Sequence, residues 1–176
     1  MGEIACCMML ARKGSKMMTL ENIIIYMLKM YPTNLAYNLS KARITKMVYL
    51  TDWKKCISSG KQMTNIKWYF DNYGPFVFDV DDVINKSDYI ESIKEYTIYG
   101  NIKTNYVLKN RSIQVALTEE DKKIIDFVIN ETKTLSWNDF ISLVYSTHPI
   151  ATSQRYSVLN LEKKAEEYNK IMEEGN

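Results

Sequence analysis

Residues 46–76 read KMVYLTDWKKCISSGKQMTNIKWYFDNYGPF. The first half has helical spacing. Ile44, Met47, Val48, Tyr49 and Leu50 recur at helix intervals, and Ser40 stands where a helix N-cap is expected. Ser58–Ser59–Gly60 is a stop signal. The spacing predicts a central core helix over about 41–59, with Lys46, Lys54 and Lys55 on its outside. The second half changes character. Trp68, Tyr69, Phe70 and Tyr73 run into Gly74–Pro75, and Phe76 and Phe78 follow. Residues 61–75 read as extended or loop-like, with the Gly74–Pro75 step as a break. Pro75 is placed near the first position of a helix, FVFDVDDVINKS, where its missing N–H matters least. Asp79, Asp81 and Asp82 then lie at the positive end of that helix. Trp68, Phe70 and Phe76 are predicted to face Met47 and Leu50 in the core. The other aromatics are left as surface anchors for a partner.

Upstream, TLENIIIYMLKMY (19–31) is amphipathic through Ile23, Ile24, Met27, Leu28 and Tyr31, with Thr19 as cap and Pro32 as stop. Downstream, Ile93, Tyr96, Ile98, Tyr106, Leu108, Ile113 and Val115 keep an approximate period of two. Gly100–Asn101 and Asn110–Arg111 punctuate that run as turns. This predicts a small antiparallel hairpin or three-stranded sheet around 93–117. Thr118 and Ser136 each precede an aspartate at the third helical position, the pattern of a capping box. Pro149 is read as the stop of the second of these helices, with His148 in its last turn. A final helix is expected over about 154–173, carrying Tyr156, Leu159, Leu161, Ala165 and Tyr168. The fold class that results is mainly α (α+β), a compact helical domain with an inserted β element. Residues 1–17 read as an N-terminal extension and 18–176 as a single domain.

The chain of 176 residues is 46% hydrophobic and 25% charged, enough apolar material for one core. Its net charge of +2 is unevenly spread. Residues 1–70 hold 11 Lys/Arg against 3 Asp/Glu, whereas 71–95 hold 2 against 7. Such a dipolar distribution steers a charged partner. Cys6, Cys7 and Cys56 fit neither a disulfide framework nor a zinc spacing, so reduced thiols and a cytoplasmic location are expected. No apolar run reaches the ~18 residues that a membrane span needs.

Catalytic chemistry finds little support. His148 is the sole histidine, and neither an HxxxH nor a CxxC pattern accompanies it. A Cys56–His148 dyad is the one nucleophilic pairing available, and a structural role for both residues is preferred. Asp79, Asp81 and Asp82 lack the glycine and glutamate that a calcium loop requires further on. No phosphate-binding loop, dinucleotide fingerprint or nucleophile elbow is present. No enzyme, metal or cofactor is therefore expected.

The ordered pieces carry a resemblance. A helix with Lys46, Tyr49 and Asp52 is followed by Trp68 and then by Tyr73–Gly74–Pro75–Phe76. Later come Ser146–Thr147–His148–Pro149, with Ile150 where an aromatic residue is usual. This pattern resembles the SocA-like, or Panacea, antitoxin domain, and it runs in order over residues 19–90. The resemblance implies a mainly helical domain that neutralises a cognate protein toxin by direct binding, without catalysis. Some such proteins act as proteolytic adaptors that deliver the toxin for degradation. The motif residues Lys46, Tyr49, Asp52, Trp68, Tyr73, Gly74, Pro75 and Phe76, with His148 and Pro149, become candidates for the partner-binding region. A homo-oligomer stays open. The alternative from a different class is a nucleic-acid-binding regulator, motivated by the basic first 70 residues.

Overall fold

Twelve of the nineteen residues in the helix Lys41–Ser59 are buried, so this helix is wrapped on nearly every side. It is the centre of the molecule in a computed structural model that describes residues 20–96 and 100–175. The Ser40 side chain accepts from the Arg43 N–H at its start. Gly60, at φ 74°, ends it in the left-handed conformation that glycine adopts without penalty. We call it α2. Helix α1 (residues 20–30) buries Leu20, Ile23, Ile24, Met27 and Leu28. Its proposed cap, Thr19, lies outside the described residues, as do the N-terminal extension 1–17 and Ile98. A 3-10 helix (Thr33–Asn38) joins α1 to α2.

Helices α3 (Phe78–Lys86), α4 (Glu119–Thr132), α5 (Trp137–Ser146), α6 (His148–Ala151) and α7 (Leu161–Glu174) complete a mainly α fold. Of these, α3, α4 and α7 pack directly on α2. The anticipated caps form: Thr118 accepts from the Asp121 N–H at 3.1 Å and Ser136 from the Asp139 N–H at 3.2 Å. Arg43, fully buried, reaches the end of α4. Its guanidinium donates to the carbonyls of Thr132 (3.2 Å) and Leu135 (3.0 Å) and lies 4.5 Å from the centroid of the Phe140 ring. A cation there offsets the negative helix end and the orphan carbonyls together.

The β structure differs from expectation in three ways. Strands β1 (Trp68–Asp71) and β2 (Gly74–Phe76) form a hairpin, with Phe70 opposite Pro75 and Asp71 opposite Gly74. The Gly74–Pro75 step is thus a strand and not a break. Pro75 is tolerated because β2 is the edge of the sheet. Helix α3 begins only at Phe78, after Val77 as N-cap. Second, of the hairpin and the three-stranded sheet expected here, the antiparallel hairpin forms, from strands β3 (Ile90–Tyr96) and β4 (Ile102–Leu108), without a third strand. The Ile113–Leu117 segment keeps its alternation, Ile113, Val115 and Leu117 turning inward, but it is not a strand. Third, Ser157–Leu159 is strand β5, antiparallel to β1. The last helix therefore starts at Leu161, and Asn160 caps it by accepting from the Lys163 N–H. Tyr156, expected in that helix, instead sits at φ 65° and is exposed.

Candidate functional site

The motif residues divide into a buried bracket and an open groove. The bracket is built on Asp52, which is fully buried. Its carboxylate accepts from the Thr64 N–H (2.8 Å), the Thr64 hydroxyl (2.5 Å), the Trp68 indole N–H (2.8 Å) and the Gln62 amide (3.4 Å). Burial pushes the Asp52 pKa up, and these hydrogen bonds oppose the rise. Four donors from one connecting segment thus converge on one acid of α2 and fix where β1 starts. Trp68 also meets Tyr49 edge-to-face, with centroids 5.5 Å apart. The Tyr49 hydroxyl is 2.8 Å from the Thr147 hydroxyl, which ties α2 to the turn between α5 and α6. Burial raises the Tyr49 phenol well above its usual range. Tyr49, Asp52 and Trp68 are accordingly packing and hydrogen-bonding residues inside the core. Thr64, their essential partner, carried no motif signal of its own.

The groove lies where α2, α5 and the β1–β2 hairpin meet. Lys41, Ala42, Thr45 and Lys46 share one face of α2. Trp137, Ile141 and Tyr145 are spaced by four along α5 and line the opposite wall, while Phe140 and Val144 of the same helix enter the core. Tyr73, Phe76 and Asp81 close the third side of a space of about 530 Å³. Gly74 makes the closure possible. Its φ is +94°, and a Cβ there would stand 3.3 Å from the Tyr145 ring and 3.7 Å from the Lys46 side chain. Asn72 anchors the turn: its carbonyl accepts from the Tyr145 hydroxyl (3.4 Å) and its side chain from the Tyr156 hydroxyl. Around the groove the surface is aromatic. Tyr73 is 82% exposed and Phe78 74%, Trp137 is half exposed, and Phe76 stacks edge-on against Phe78 at 4.9 Å. Phe76 is only half-buried, so of the three predicted core aromatics Trp68 and Phe70 are in the core and Phe76 lines the groove.

Lys46 overturns its predicted place outside. It is 6% exposed, and burial lowers its pKa. Its neighbour Lys41 is already held by Asp81 at 2.7 Å. Among the described residues Lys46 has no hydrogen-bond or ion-pair partner. The two other lysines are also engaged: Lys54 lies 4.6 Å from the centroid of the Phe127 ring, and Lys55 pairs with Glu120 and Asp121.

The late motif is elsewhere. His148 opens α6 after Thr147, and Pro149 follows it in the first turn, where a proline is accommodated. Pro149 therefore starts a helix and does not stop one. The imidazole faces α7, with Nε2 3.6 Å from the Glu167 carboxylate and its ring 5.8 Å from Tyr168. Cys56 is fully buried, and burial raises its thiol to about 12, far from thiolate at neutral pH. Among the described residues no cluster of three or more His, Cys, Asp or Glu is arranged to hold a metal ion, and no helix is long and apolar enough to cross a membrane.

The family model for the antitoxin SocA-like, Panacea domain matches residues 44–149. The chain belongs to this family. All ten motif residues, from Lys46 to Pro149, fall inside the matched span, which begins within α2 and reaches further than the 19–90 stretch that carried the resemblance. No curated protein and no solved structure matches the chain. Within this Panacea chain the β1–β2 hairpin and α5, both in the matched span, supply the groove.

Proposed function

We propose that this protein is the antitoxin of a toxin–antitoxin pair and neutralises a protein toxin by direct, non-catalytic binding. The observation that carries the reading, beside family membership, is the exposed aromatic rim of Tyr73, Phe78 and Trp137 around an open groove. Large aromatic side chains held on a short hairpin and a helix are the residue types that dominate protein interfaces. A nucleic-acid partner is less favoured. Most of the described basic residues of the first 70 are engaged within the fold: Arg43 is buried on backbone carbonyls, Lys41 and Lys55 are ion-paired, Lys29 donates to the Ile113 carbonyl and Lys54 lies over the Phe127 ring, which leaves Lys61 and Lys67 on the surface and Lys46 in the groove, too few for a row of phosphate contacts.

The test is coexpression with the product of the adjacent gene, scored by growth and by pull-down. Rescue with a stable complex is the expected result, and a Tyr73→Ala, Phe78→Ala variant should lose both while keeping its melting temperature. Rescue without a complex, and with loss of toxin in protease-competent cells, would replace direct blocking by adaptor delivery. Absence of both rescue and binding would refute the reading.

A further inference from the structure

A lysine is rarely buried without an anion, because a desolvated ammonium is costly unless paired. Lys46 approaches that case: the residue is 6% exposed, and its ammonium, not fully enclosed, opens into the groove with no anion beside it among the described residues. It lines an open, largely apolar groove with four aromatic residues, in which Lys41 and Asp81 already satisfy each other, so one positive charge remains uncompensated. We propose that the groove receives an apolar–acidic segment of the protein partner. One carboxylate of that segment pairs with the Lys46 ammonium, and an adjoining apolar side chain fills the space between Phe76, Trp137 and Tyr145.

Three features select this occupant. The charge balance of the lining asks for a single anion. A nucleic-acid phosphate backbone would instead meet several free cations in a row, which the lining does not present. The volume of about 530 Å³ takes one or two large side chains and not a folded element. The groove also opens onto Tyr73 and Phe78, which a small free anion would leave uncovered but a peptide continuing outward would cover. Burial depresses the Lys46 pKa in the free protein, and an entering carboxylate restores the charged form. A segment that covers the groove sheds water from the pair, which makes it stronger than a surface ion pair.

The inference rests on the protein-binding reading above, but its test needs no toxin. Random linear heptapeptides displayed on phage are panned against the intact chain and, in parallel, against Lys46→Met, which keeps the apolar stem and removes the charge. Thermal melting checks that both are folded. Peptides selected on the wild type should share Asp or Glu beside an aromatic or aliphatic residue. Synthetic versions, titrated by tryptophan fluorescence, should weaken about tenfold or more when the acid is replaced by its amide, or when Lys46→Met is used. Lys46→Arg, which retains the charge, should keep part of the binding. Enrichment without an acidic position, no enrichment at all, or affinity unchanged in Lys46→Met would overturn the proposal. So would displacement of the peptide by sodium acetate at equal concentration, which would assign the site to free carboxylates. Failure of toxin rescue leaves these outcomes untouched, so the two readings fail separately.

Discussion

The Asp52 bracket is best tested by a double-mutant cycle with Thr64. Asp52→Ala leaves the Thr64 and Trp68 N–H groups buried without an acceptor, each worth about 1–3 kcal/mol. Relief of the buried carboxylate returns part of that, so a net loss of about 3–4 kcal/mol is expected. Thr64→Val removes one hydroxyl donor to a charged acceptor, worth about 1.5–3 kcal/mol. It also deprives the Ile66 N–H of its acceptor, a cost present in both backgrounds that cancels in the cycle. With Asp52 gone, the Thr64 hydroxyl has no acid to donate to, and Val at this position should cost little more than the Ile66 term. The coupling energy is therefore about 1.5–3 kcal/mol. Urea unfolding of the four proteins at pH 7, followed by tryptophan fluorescence, measures it provided the m-values agree. Additivity within about 0.5 kcal/mol would show that Asp52 and Thr64 act independently and would refute the bracket.

Lys46→Met should raise stability at pH 7 by about 1–2 kcal/mol, or roughly 2–8 °C in melting temperature, because an unpaired and partly desolvated charge is removed. Burial lowers the Lys46 pKa from its ordinary 10.5. The unfolded chain thus holds more protons between the two values, and the wild type regains stability as pH rises through the folded pKa. Melting at pH 7 and pH 10 should show the gap narrowing, and a widening gap would reverse the sign of the argument. Gly74→Ala should cost about 2–3 kcal/mol in thermal or urea unfolding, since φ +94° is strained for any Cβ and the Tyr145 ring stands 3.3 Å away. Tyr49→Phe should cost about 1 kcal/mol by urea unfolding at pH 7, as it deletes a single hydrogen bond to Thr147 and keeps the contact with Trp68.

Local signals in the sequence determined most of the helices. Capping residues and glycine stops act within a few positions, so Ser40, Thr118, Ser136 and Gly60 could be read without any tertiary knowledge, and all four cap helices in the structure. Apolar periodicity likewise identified α1 and α2, and both bury their apolar residues in the core. The ordered Lys46-to-Phe76 motif was enough to indicate the family. What failed was local reasoning about residues whose partners are far away. Gly74–Pro75 has every mark of a break, but β1 offers it hydrogen bonds on one side and the open edge spares Pro75 a missing donor. Ser157–Leu159 has helix-compatible composition, yet an unpaired edge of β1 is available 87 residues upstream of Ser157 and captures it at Phe70. In the reverse sense, Ile113–Leu117 has strand alternation but pairs with no strand among the described residues.

The groove divides along the same line. Periodicity assigns Lys46 to the outside of α2 because it counts polarity along one helix only. The hairpin and α5 then cover that face, and a long aliphatic stem makes the covering tolerable. Tyr73 was readable as an exposed aromatic, since it stands in a turn. Trp137, Ile141 and Tyr145 were readable as a stripe on a helix, but not as a wall facing Lys46 across a glycine. Sequence by itself determined most of the helices and the family they belong to. Only the tertiary structure decided that a charge would be left unpaired between them, because burial is a property of neighbours and not of the chain.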